Sequence, residues 1–127
     1  MNDVVLDASA LLALAQDEPG AAAVNEVLDR AIIGAVNLSE AVAKLSDRGV
    51  PEHAAWVASV NSVTRIVPFD EGLARIAARL RLSTKSFGLS FADRACLALA
   101  MHENAEAYTS DRRWRDLDIG VAVRLIR

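Results

Sequence analysis

Short apolar runs recur down this chain, each followed by a stretch with helical spacing, and that alternation is its strongest constraint. Val4-Val5-Leu6 is the first run, and its β-branched residues read as a buried strand. Residues 8–15 read as a helix, and Asp17-Glu18-Pro19-Gly20 as a break. Residues 21–31 carry Val24, Val27, Leu28 and Ala31 at helical spacing, and 32–36 form a second strand candidate. Asn37 is placed to cap a helix to Arg48, and a further helix spans Glu52–Val60. Residues 65–69 read as an edge strand because of Pro68. Asp70 then caps a helix over 71–82, a polar loop covers 83–89, and Ser90 caps a long helix to Glu103. Glu106–Thr109 is a strand, 112–115 a short helix, and 121–126 the last strand.

Strands alternating with helices predict the α/β class, with a mainly parallel central sheet. Right-handed crossovers put helices on both faces of it. The carboxyl ends of the strands then share one edge, where ligands bind. The length, 127 residues, predicts a single domain over 1–127.

Composition excludes several other classes. At 53% hydrophobic the chain is too apolar for disorder. No apolar run approaches the roughly 20 residues of a membrane span. Asn2 and Asp3 precede the first apolar residues without a basic region, which predicts no signal peptide and a cytoplasmic location. One cysteine, Cys96, and two distant histidines, His53 and His102, argue against disulfides and zinc or haem chemistry. Residues 1–63 hold 3 basic and 9 acidic side chains, and 64–127 hold 11 and 8. The basic second half permits a nucleic-acid partner without requiring one. Scattered glycines give no phosphate loop. A phosphoacceptor receiver domain is also disfavoured, since it needs an acidic pair after the first strand and a late lysine.

Four carboxylates fall where a strand yields to a helix or where a helix begins: Asp7, Glu40, Asp93 and Asp111. Each has a plain explanation as a cap or first-turn acid. Asn37-Leu38-Ser39-Glu40 and Ser90-Phe91-Ala92-Asp93 both fit the capping box. Asp7, Glu40 and Asp111 follow predicted strands and so meet at one edge of a parallel sheet. Asp93 starts a helix whose apolar face, with Cys96, Leu97 and Ala100, packs inward, which predicts one shared pocket. Like charges ~4 Å apart cost about 4 kcal/mol per pair at an effective dielectric near 20. A hard divalent cation, Mg²⁺ or Mn²⁺, offsets that cost and suits phosphodiester hydrolysis. Ser9 stands two residues after Asp7, placed either to orient a water or phosphate or simply as a first-turn hydroxyl; Thr109 and Ser110 share that ambiguity.

Val4 to Ala10, Asn37 to Glu40, Gly88 to Ala100 and Thr109 to Trp114 together resemble the PIN-domain pattern. More narrowly they resemble the VapC toxins of bacterial toxin–antitoxin pairs. The resemblance runs nearly end to end, and Asp93-Arg94 is its most specific stretch. It implies a PIN fold, a Mg²⁺- or Mn²⁺-dependent endoribonuclease acting on RNA, a homodimer and a VapB-type antitoxin. Asp7 and Asp93 would be the principal metal ligands, with Glu40 and Asp111 completing the site. Arg94, Arg112, Arg113 and Arg115 are candidates for the RNA backbone, with surface ion pairing the competing explanation. A PIN-like binding protein without nuclease activity is the alternative.

Overall fold

The computed structural model describes residues 2–127. Its sheet has five strands: β1 (Val4–Leu6), β2 (Ala31–Gly34), β3 (Arg65–Val67), β4 (Glu106–Thr109) and β5 (Val123–Leu125). Their order is β3-β2-β1-β4-β5, and all four pairings are parallel. The α/β expectation holds. Val4, Val5 and Leu6 have no exposed surface. A strand at the centre of a parallel sheet is covered on both faces, so its sequence is continuously apolar.

Six helices cover the sheet: α1 (Ala8–Ala15), α2 (Ala21–Asn25), α3 (Ala35–Asp47), α4 (Glu52–Val60), α5 (Glu71–Thr84) and α6 (Phe91–Glu103). Side chains alternate along a strand. Val5 and Ile32 therefore pack with Leu73 and Ala77 of α5, Leu97 and Leu99 of α6, and Trp114. Val4, Leu6 and Tyr108 face the other way, onto Ala10, Ala13 and Val24. Ile33 joins Leu11, Leu38, Leu45 and Ala55 in a third cluster that seats α3 and α4. Cys96 and Trp114 are buried, whereas Trp56 is 43% exposed and belongs to no core.

Several boundaries differ from the sequence reading. The helix over 21–31 stops at Asn25, and a 3-10 turn, Leu28–Arg30, follows. Ala31 pairs with Val4 in the sheet, which takes it out of any helix. β2 ends at Gly34 rather than residue 36, because α3 starts at Ala35. α5 continues to Thr84, whose buried hydroxyl donates to the Leu80 carbonyl at 2.7 Å. A 3-10 turn, Lys85–Phe87, stands where a loop was expected. A similar turn, Arg112–Trp114, replaces the short helix, and β3 and β5 are each shorter than predicted.

Gly20 opens α2 at φ +102, and a Cβ there would lie 2.7 Å from Ile126 Cγ1 and 2.9 Å from its carbonyl oxygen. Gly20→Ala is expected to lower stability by about 1–3 kcal/mol, from backbone strain and the clash together. Urea melts check this; an unchanged midpoint would show that the 19–21 turn adapts freely.

β1 is flanked by β2 on one side and β4 on the other, so the strand order, though not the strand direction, switches sides there. The crevice outside the carboxyl ends of β1 and β4 is the place such a sheet offers to ligands.

Candidate active site

Asp7 follows β1 directly and caps α1. Its Oδ1 accepts from the Ala10 amide at 2.9 Å and the Ser9 hydroxyl at 2.7 Å. Its Oδ2 accepts from the Thr109 hydroxyl on β4 at 2.5 Å. The side chain serves as a cap and also lines a cavity at the switch point. Asp7 is only 6% exposed. Burial pushes its carboxyl up to about 6, against three hydrogen bonds that pull it down, and the nearby Asp93 charge adds slightly to the rise.

The cavity, about 190 Å³, is lined by Asp7, Ser9, Glu40, Asp93 and Asp111, together with Lys44 and Arg113. All four predicted acids and Ser9 are thus brought together from four separate segments. Glu40 comes from the second turn of α3 and lies 3.6 Å from Lys44, one turn on. Asp93 enters from the first turn of α6, where Ser90 and Asp93 form a reciprocal capping box. The Ser90 amide donates to Asp93 Oδ2 at 2.8 Å. Asp111 follows β4, and its amide donates to Thr109 Oγ1 at 3.0 Å. Ser9 Oγ accepts from the Ser110 amide at 2.9 Å, so it braces Asp7 against the β4 end.

Asn37 does not cap α3. It lies inside the first turn, buried, and its amide donates to the Ala92 carbonyl at 3.0 Å. That bond ties α3 to the start of α6 and so sets Glu40 beside Asp93. Gly34 is the N-cap and supplies no side-chain bond. The capping-box reading of residues 37–40 is therefore corrected.

Three of the four candidate arginines are not brought to the cavity. Arg94 donates to the Ala77 carbonyl of α5 at 2.9 Å and lies over the Phe91 ring. Arg112 is exposed and outside the lining. Arg115 lies 3.9 Å from Asp116. Arg113 does reach the cavity, where it forks onto Asp111 and holds that carboxyl below its ordinary value. Lys44 and Thr109 are neighbours of the acid cluster that sequence reasoning passed over or left ambiguous. The i,i+4 spacing of Lys44 from Glu40 was the available signal for one of them.

The donor set is all oxygen, and four carboxylates against Lys44 and Arg113 leave a formal excess of two negative charges. That charge and chemistry fit a hard divalent cation in kind. Among the described residues, no group of three or more His, Cys, Asp or Glu side chains already stands in position to hold one. Both Asp7 oxygens have hydrogen-bond donors, and Arg113 occupies Asp111.

Residues 4–120 match the family model described as the PIN domain. No curated protein sequence matches the chain. Among solved structures, DNA-bound VapBC from Salmonella typhimurium superposes with a TM-score of 0.76 at 16% identity, covering 98% of each chain. FitAcB from Neisseria gonorrhoeae gives 0.69 at 22% identity, covering 94% of this chain and 95% of that one. VapC20 from Mycobacterium tuberculosis, described as a sarcin-ricin loop cleaving toxin, gives 0.71 at 18% identity, with coverage of 94% and 99%.

Proposed function

Because the chain belongs to the PIN-domain family, we propose that it is a Mg²⁺- or Mn²⁺-dependent endoribonuclease, the toxin half of a VapBC-type toxin–antitoxin pair. One observation carries the reading: Asp7, Glu40, Asp93 and Asp111 arrive from four segments at one cavity on the switch point of the sheet. The choice of RNA as substrate draws on the likeness to the sarcin-ricin loop cleaving toxin.

Asp7 and Asp93 are the residues to hold the divalent cation, with Glu40 and Asp111 completing its surroundings directly or through water. A cation held there supplies Lewis acidity to water and neutralises charge on the phosphate. In-line attack places the water oxygen on phosphorus as the bond to the leaving oxygen breaks. Glu40, partly exposed at the mouth, positions that water or takes its proton. Thr109 and Ser9 hold the Asp7 carboxylate in one orientation through hydroxyl bonds to its two oxygens. Exposed Arg112 is the candidate to meet the RNA backbone, whereas Arg94 donates to the Ala77 carbonyl and ties α6 to α5.

A groove of about 550 Å³ beside α3, α4 and the edge strand β3 supports partner binding; Leu38, Val42, half-exposed Trp56 and Ile66 line it. Both a VapB-type antitoxin and a second copy of the chain are partners in this reading. No helix among the described residues is long and apolar enough to cross a membrane.

The test is cleavage of end-labelled RNA with Mg²⁺, with Mn²⁺ and with EDTA. Cleavage is expected only with metal. Expression alone should arrest growth, and co-expression of the neighbouring gene product should relieve it. Light scattering should give twice 13.6 kDa for the free protein. An RNA left intact under every metal condition, by folded protein, would leave a PIN-like binding module and sink the enzymatic reading.

A further inference from the structure

We propose that Arg113 is a resident counter-cation, which competes with the divalent cation for the acid cluster and so sets how tightly that cation binds. The inference rests on the metal-site reading above. Arg113 Nη2 donates to Asp111 Oδ2 at 2.6 Å, and Nε lies 3.0 Å from both carboxylate oxygens. The fork therefore covers the whole carboxylate. The same Nη2 is 3.7 Å from Asp93 Oδ2, so one guanidinium serves two of the four acids.

This is a clamped side chain. Nη1 donates to the Gly88 carbonyl at 2.7 Å. Gly88 has φ +68, and a Cβ built on it would lie 3.3 Å from Arg113 Nη1. The left-handed turn before α6 thus presents its carbonyl to the guanidinium and leaves room for it. A planar fork held at both ends loses little freedom when it pairs. Lys44 differs, because it offers one point charge to Glu40 at 3.6 Å along its own helix.

A divalent cation held by Asp7 and Asp93 must approach a positive charge already beside Asp93, and one that also takes Asp111 must displace the fork. Binding is then an exchange of one cation for another. Arg113 is half-exposed, so water weakens the competition without removing it.

The experiment uses the full chain and Mn²⁺ alone. Calorimetric titration compares wild type with Arg113→Gln and Arg113→Lys, alongside thermal melts in EDTA and in Mn²⁺. Arg113→Gln is expected to bind Mn²⁺ about tenfold more tightly, and Arg113→Lys by a smaller factor, since lysine keeps the charge and loses the fork. In EDTA the glutamine variant should melt lower, because its acids have lost their partner, and its Mn²⁺-induced rise should be larger than that of wild type. A purely structural ion pair gives the lower melt with no gain in affinity. Wild type that binds Mn²⁺ while Arg113→Gln binds no more tightly overturns this proposal alone. If neither protein binds millimolar Mn²⁺, the metal site and this proposal fall together. Should the glutamine variant not fold, a lysine variant with wild-type affinity overturns the proposal equally.

Discussion

Asp7→Asn is expected to reduce metal-dependent RNA cleavage by about 10²–10³-fold or more while the protein stays folded. Asparagine is as good an N-cap as aspartate, so its side-chain oxygen can still accept from the Ala10 amide. The amide keeps the shape and loses the charge that would hold the cation. Lewis-acid stabilisation of the transition state is worth several kcal/mol, and each 1.36 kcal/mol is tenfold in rate. Asp93→Asn should behave alike, since an amide oxygen can still accept from the Ser90 amide and keep that half of the capping box. Circular dichroism confirms folding and a labelled-RNA time course gives the rate. A rate near that of wild type for either variant, with Mg²⁺ or Mn²⁺ present, would show that the acid cluster is not the catalytic centre.

The same substitution at Asp7 should have the opposite effect on stability when no metal is present. The folded carboxyl sits at about 6, against 3.8 for the ordinary group. Between those pH values the folded protein keeps a proton that the unfolded chain has released. Stability is therefore lost as pH rises from about 4 through about 6, and the full penalty stands above that. The two-unit difference corresponds to at most about 3 kcal/mol. Asp7→Asn removes the titration, so in EDTA at pH 7.5 it should be the more stable protein, with a flat profile between pH 4 and 6.5. Mn²⁺ should narrow that gap or close it by stabilising wild type, by about 2.7 kcal/mol at 100 times its dissociation constant. Urea melts at pH 4.5 and 7.5, with chelator and with Mn²⁺, separate these effects. If Asp7→Asn is less stable than wild type in all four conditions, Asp7 is a cap and nothing more.

Clustering alone predicts a carboxyl that titrates high, and Asp7 is that carboxyl. Like-charge repulsion is not the main cause. Burial is the largest contribution, and repulsion from Asp93 is the smallest. Arg113 and Lys44 soften the repulsion, and where their side chains go depends on the fold. Arg113 meets Gly88, 25 residues away, and no local pattern announces that contact. The Ser90–Asp93 capping box and the Asp70 cap were legible because their partners lie three residues off. The strand-to-helix boundary within residues 32–36 is hidden in the sequence for a related reason. Ile32-Ile33-Gly34-Ala35-Val36 is apolar throughout, and α3 starts at a glycine with no side-chain bond to mark it. Asn37 looked like the marker, but its partner, Ala92, is 55 residues further along the chain. The sheet and the four acids follow from periodicity and strand ends, whereas the cations and the helix-to-helix tie follow from packing.

Cys96 has no exposed surface and lies one turn beyond Asp93 on α6, packed in the core under the acid cluster. Burial, with the charges of Asp7, Asp93 and Glu40, pushes its thiol well above the ordinary range. A disulfide reagent therefore finds neither access nor thiolate until the floor of the cavity opens. Because this is the chain's single sulfhydryl, its labelling rate is an undiluted clock for that opening. A cation that pins Asp93 would slow the clock, and a partner that pries α6 away would speed it, with no substrate in the tube.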